Sequence, residues 1–164
     1  MKSAKTVKDL MVKTPLFLGK NQTLASAVKT MLEQQVPQGI VVDQQKNLLG
    51  VISVEHLLGV LWLHDFEDKI TASVADVMQQ QVATVNESDS LHLVAEKMTA
   101  ASKTVFPVSS SGILLDYDAV SLSARISKSA QGLPNSFPVV AQNKVVGVIE
   151  RQQILSAYQG CFGE

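Results

Sequence analysis

The sequence predicts an α+β fold in which one β-α-β-β-α unit occurs twice, the two copies packing about a pseudo-twofold axis with an insertion in the second. Three observations predict it. Val7-Lys-Asp9-Leu-Met11 matches Val74-Ala-Asp76-Val-Met78 at an offset of 67 positions. Thr23-Leu24 followed by Met31 matches Ser90-Leu91 followed by Met98 at that same offset. Gly50-Val-Ile52 matches Gly147-Val-Ile149, and Leu57-Leu58 matches Ile154-Leu155, but at an offset of 97, so the second copy carries a net 30 extra residues between Met98 and Gly147.

Each element follows from local pattern. Short apolar stretches, Leu16–Leu18 and Val82–Val85, open the copies as strands. Leu24, Ala27, Val28, Met31 and Leu32 fall at helical spacing, and Leu91, Val94, Ala95 and Met98 repeat that face, with Asn21 and Ser88 as expected N-caps. Ile40–Val42 and Leu48–Ile52 flank a polar turn at Asp43–Asn47; Pro138–Val140 and Val145–Ile149 flank one at Gln142–Lys144. These β-branched runs alternate weakly, which predicts hairpins buried on both faces. Val54, Leu57, Leu58, Leu61 and Trp62 form the apolar stripe of a closing helix, shortened in copy two to Ile154, Leu155 and Tyr158 with Gly160 as its expected C-cap. The expected layout is a first repeat at 1–62, a linker at 63–73, a second repeat at 74–160 and a tail at 161–164.

Composition narrows the function classes. Of 164 residues, 46% are hydrophobic and 18% charged, which excludes a disordered chain and points to two-sided burial or a subunit interface. Fourteen Lys and Arg face fifteen Asp and Glu, so no basic face for nucleic acid is expected. The chain has no Lys/Arg run, and no apolar run near the ~18 residues of a membrane span, so no membrane contact is expected. The start, MKSAKTVKDLM, lacks the apolar core of a signal peptide, so a cytoplasmic location is expected. Cys161 is the single cysteine and reads as a spectator thiol; His92 falls on a polar helix side, and His64-Asp65 has no second metal-binding pair. No Ser-His-Asp order, glycine-rich phosphate loop or zinc spacing appears, so the chain is expected not to be an enzyme and to require no cofactor or metal.

The ordered series V-x-D-x-M, S/T-L-x-x-(A/V)-x-x-x-M, V-V and G-V-I with an apolar helix, found twice over roughly 120 residues, resembles the tandem CBS-domain pair, or Bateman module, here free-standing. The resemblance implies an adenosine-containing ligand of AMP or ATP type in a cleft between the copies, a homodimer, and an effector protein whose identity is unknown. It places a first ligand site at Thr14, Pro15, Phe17, Gly39, Ile40, Ser53 and His56. It places a second at Val82, Phe137, Pro138, Glu150 and Gln153. The family's pattern there is G-h-h-(S/T)-x-x-(D/N), in which the hydroxyl and the helix N-terminus meet phosphate. Copy one keeps Ser53 but has His56 in place of the carboxylate; copy two has Glu150 and Gln153 at the two positions, and Glu150 would repel phosphate. For the apolar members among Thr14, Pro15, Phe17, Gly39, Ile40, Val82, Phe137 and Pro138, core and hairpin packing is the favoured reading.

Two functions therefore stay open. One is a non-catalytic regulatory module that senses a small ligand and passes the signal to a partner. The other is a protein-interaction or dimerisation module whose clefts have lost nucleotide binding. The insertion, about 100–136, is serine-rich yet carries Phe106, Leu114, Leu115 and Leu122, so it is expected either to pack on its own module or to contact a partner near Glu150 and Gln153. Exposed apolar helix ends at Leu61, Trp62 and Tyr158 predict a homodimer.

Overall fold

The structure, a computed structural model, describes residues 5–64, 69–99 and 133–162. The expected insertion, apart from its last residues 133–136, lies outside the described residues, as do 65–68. Along the described residues the order is α1 (Val7–Leu10), β1 (Phe17–Gly19), α2 (Leu24–Glu33), β2 (Gln38–Val42), β3 (Leu48–Ser53), α3 (Val54–Leu63), α4 (Val74–Val77), β4 (Val85–Asn86), α5 (Leu91–Thr99), β5 (Ser136–Ala141), β6 (Lys144–Glu150), α6 (Arg151–Ala157) and a 3-10 turn at Gln159–Cys161. This is the mixed α+β fold with two three-stranded sheets, ordered β1-β2-β3 and β4-β5-β6.

The described chain gathers into two compact units. One holds residues 12–84 and 138–148; the other holds 5–11, 85–99, 133–137 and 149–162. In the first unit β1 runs parallel to β2, in register Phe17↔Ile40 and Leu18↔Val41, so α2 must cross over between them. β2 and β3 form an antiparallel hairpin, Gly39↔Ile52 and Ile40↔Val51, with an irregularity between Val41 and Val42. Both sheet faces are covered. Leu18, Val41 and Ile52 pack with Leu24, Ala27 and Met31 of α2 and with Val74. On the opposite face Ile40 packs with Val145 and Val148, flanked by Phe17, Val12, Val42, Leu48 and Val140. Two-sided burial removes the need for polar alternation, as the β-branched runs predicted.

The motif V-x-D-x-M acquires a physical meaning. Val7 and Val74 open α1 and α4 and are both fully buried. Asp9 and Asp76 sit three residues past the N-caps Thr6 and Ser73 and accept their backbone N–H groups at 2.8 Å each, a reciprocal capping box. Met11 and Met78 end the helices, and the next residues pair with a hairpin: Val12 with Val148, and Gln79 with Val51. Each short helix therefore serves the other repeat. Thr6 bridges Ser90, and Val7 and Lys8 donate to the carbonyls of Asp89 and Glu87 at 3.0 and 2.9 Å. Reciprocally, Ser73 bridges Thr23, and Val74 and Ala75 donate to Gln22 and Lys20 at 2.8 and 2.9 Å. The repeat pattern located these motifs without assigning them to helices or to a neighbour.

In the second unit α6 packs on α5 and α1. Val7, Val85, Leu91, Val94, Met98, Phe137, Ile149 and Ile154 supply its buried residues.

Several expected details shift. The N-cap of α2 is Thr23, whose hydroxyl accepts the Ser26 N–H at 3.3 Å, rather than Asn21; Ser90, accepting Leu93 N–H at 3.3 Å, replaces Ser88. A side-chain oxygen satisfies a free N–H only from the position just before the helix. Val82 lies before β4, which is confined to Val85–Asn86. α6 ends at Ala157, and Gly160 lies inside the 3-10 turn instead of capping it. The stripe on α3 is real but buries no residue within the chain.

Two tests arise here. α2 closes with the Val36 N–H on the Met31 carbonyl at 3.1 Å and Gln35 N–H on Leu32 at 3.2 Å, which places Gln35 in the left-handed region at φ 53. Gln35→Gly is expected to stabilise the protein by about 0.5–1 kcal/mol in urea unfolding. At the β2–β3 turn, Asp43 accepts the Asn47 side-chain amide at 2.7 Å and the Asn47 and Gln45 N–H groups at 2.8 Å. The Asn47 side chain, first, holds its carboxyl below the usual range. A depressed folded value means stability present above the unfolded Asp range and lost as pH falls through the lower folded value. Asp43→Asn should therefore flatten the acid limb of stability measured between pH 6 and pH 2.

Candidate functional site

The first predicted site collects at one end of the β1-β2-β3 sheet. Phe17 starts β1, Gly39 and Ile40 start β2, and Ser53 ends β3 opposite Gln38. Thr14, exposed, and Pro15, half-buried, lead into β1. The site's upper wall is the first turn of α3, anchored by the Val54 N–H on the Pro37 carbonyl at 3.0 Å.

Most of these side chains already have structural work. The Ser53 hydroxyl accepts the His56 N–H at 3.2 Å and caps α3. The His56 ring places Nε2 2.8 Å from the Val77 carbonyl. A carbonyl can only accept, so Nε2 carries the proton and, in the neutral ring, Nδ1 is left as one acceptor. His56 thereby ties the start of α3 to the end of α4. Phe17 and Ile40 belong to the packed face with Val145 and Val148, and the Lys46 ammonium lies 5.5 Å from the Phe17 ring centroid. Gly39 is buried, and an added Cβ would overlap the Leu18 side chain. What these bonds leave at the site is the part-exposed Ser53 hydroxyl at the N-terminus of α3, where the helix dipole is positive.

At the second predicted site, Glu150 and Gln153 form a reciprocal capping box at the start of α6, with Gln153 Oε1 accepting the Glu150 N–H at 2.9 Å. The two residues that depart from the family pattern are thus committed to capping the helix. Phe137 and Pro138 are buried, and Val82 is half-buried. Sequence reading missed Val77, Gln79, Val12 and Arg151, whose contributions are largely backbone groups or long-range bonds. The V-x-D-x-M repeat was the signal that could have found the first three. Among the described residues no cluster of His, Cys, Asp and Glu could hold a metal ion, and no helix is long and apolar enough to cross a membrane.

The doubled β-α-β-β-α architecture defines a paired-repeat module. Residues 7–63 match the family model of the CBS domain, and the chain has the fold of a CBS domain pair. It is similar to the CBS domain pair of protein MJ0100 in complex with 5′-methylthioadenosine and S-adenosyl-L-methionine: 21% identity, 97% of this chain, 99% of that one, TM-score 0.66. It is similar to CBSX2 in complex with AMP at 20% identity over 95% of this chain and 97% of that one, TM-score 0.63. CBSX2 is from Arabidopsis thaliana. The glycine betaine/carnitine/choline transport ATP-binding protein OpuCA of Bacillus subtilis is 28% identical over 102 residues, 62% of this chain and 25% of that protein. The chain thus spans about a quarter of the length of that curated relative.

Proposed function

We propose that the chain is a non-catalytic regulatory module that binds an adenosine-containing ligand at the end of its first sheet and passes the occupancy to a partner protein. The observation that carries this is the α3 N-terminus, hydroxyl-capped by Ser53, beside the Gln38–Gly39 backbone at the start of β2. Support comes from two neighbours of like fold, solved with AMP and with methylthioadenosine and S-adenosylmethionine. Thr14, Pro15, Phe17, Ile40 and His56 would line this site, and His56 Nδ1 would offer a ligand hydroxyl one acceptor. The second site, with Glu150 at the mouth of α6, would not take phosphate.

Calorimetry with AMP, ATP, methylthioadenosine and S-adenosylmethionine tests the reading. Binding by at least one, weakened about three- to tenfold by Ser53→Ala, is expected, the worth of one hydrogen bond. No binding by any of the four would overturn it.

A second reading is favoured by α3. It buries no residue, and Leu58, Trp62 and Leu63 are more than half exposed, with Leu61 at 37%. We propose that a second copy of the chain covers this helix in a homodimer. A monomer mass by light scattering at micromolar protein would exclude it.

A further inference from the structure

Position 98 in the second repeat corresponds to position 31 in the first. The Met31 carbonyl, in the last turn of α2, accepts the backbone N–H of Val36 at 3.1 Å, and the chain enters β2 two residues later. The Met98 carbonyl, in the last turn of α5, accepts Arg151 Nη2 at 3.0 Å. That same nitrogen lies 3.4 Å from the Leu133 carbonyl, and the Arg151 N–H donates to the Asn135 carbonyl at 3.2 Å. Met98 and Leu133 stand on either side of residues 100–132. Both oxygens lie within hydrogen-bond reach of one guanidinium nitrogen, so the chain leaves α5 and returns towards β5 at a single point.

The counterpart of Arg151 in the first repeat is Val54, which makes the matching backbone bond to Pro37 and carries no charge. The arginine occurs only in the copy with the extra residues. Its place in α6 works against it, because a cation in the first turn opposes the helix dipole. Its acceptors explain it. The last carbonyls of α5 form the negative pole of that helix, and guanidinium is always charged and offers several donors in a fixed plane.

We propose that Arg151 is a latch at the neck of the 100–132 insertion. One side chain thereby holds the end of α5 and the residues leading into β5 together, at the two ends of the insertion. It also joins the neck to the first turn of α6, beside Glu150 and Gln153. None of this depends on the ligand reading above.

The test crosses two changes. In one, residues 100–132 are replaced by a four-residue turn. In the other, Arg151 is substituted in both the full and the shortened chain. The readout is amide hydrogen exchange in 94–99 and 136–141. The shortened chain is expected to fold with those segments protected, since a short turn holds the same two ends together at little closure cost. Arg151→Ala should raise exchange there about tenfold in the full chain and less than about threefold in the shortened one. Should Arg151→Ala fail to fold in the full chain, Arg151→Lys, which keeps the charge and loses the fork, carries the same comparison. An equal effect in both backgrounds, no effect in the full chain, or a shortened chain that does not fold would overturn the latch.

Discussion

Gly50→Ala is expected to lower stability by about 2–3 kcal/mol, a fall in Tm of roughly 5–10 °C. The pairing of β3 with the segment after α4 dictates this. Val51 and Gln79 exchange both backbone bonds, at 3.0 and 2.9 Å. A Cβ on Gly50 would stand 2.6 Å from the Gln79 carbonyl oxygen and 3.1 Å from Met78 Sδ. The sulfur can swing away; the carbonyl cannot without breaking the pair. Gly59 in α3 is the control, because a Cβ there meets nothing within 4 Å. Gly59→Ala should raise helix stability by up to ~1 kcal/mol. Equal urea midpoints for Gly50→Ala and the parent would mean that the Val51–Gln79 pairing does not form.

Removal of residues 1–11 is expected to cost about 2–4 kcal/mol, and to injure the second repeat rather than the first. Val7 is fully buried, and burying such a side chain contributes about 1.5–3 kcal/mol. The deletion also strips the donors to Asp89 and Glu87. Hydrogen exchange should rise across residues 85–99 and 149–157, while 38–53 keeps its protection through Val74 and Gln79. Val74→Ala should produce the mirror result, with 17–33 and 38–53 the affected segments. Loss of protection confined to the first repeat on truncation would contradict the exchange of short helices.

The fold was legible because its signals are periodic and occur twice. The spacing of Leu24, Ala27 and Met31 marks α2, and the runs Ile40–Val42 and Leu48–Ile52 mark a hairpin covered on both faces; all three cues depend only on neighbours in sequence. Helix ends were displaced by two residues because Asn21, Thr23, Ser88 and Ser90 are all competent caps, and tertiary pairing, Thr23 with Ser73 and Ser90 with Thr6, chooses among them. The identity of α3 as a helix was legible, but the destination of its apolar stripe was not. Leu58 and Trp62 have the spacing of core residues and yet face outward, and no local pattern separates burial in the chain from burial by another molecule. At the candidate site, Ser53 and His56 were visible as positions. Their bonds were not, because the Val77 carbonyl that His56 meets lies 21 residues away and belongs to backbone that carries no sequence signature.

The crossed service of the two short helices changes what counts as a repeat. A fragment cut at the family-model limits, residues 7–63, would carry α1 away from the residues that bury Val7, and would leave the groove beside Gly50 with no strand to fill it. Such a fragment has a donor without its acceptor and an acceptor without its donor. Two identical fragments could satisfy one another by supplying the missing helix in trans. The intact chain is, in that sense, a dimer of half-molecules made permanent by a peptide link. Substitutions near residues 7–12 should accordingly be interpreted through the second repeat, and those near 74–79 through the first.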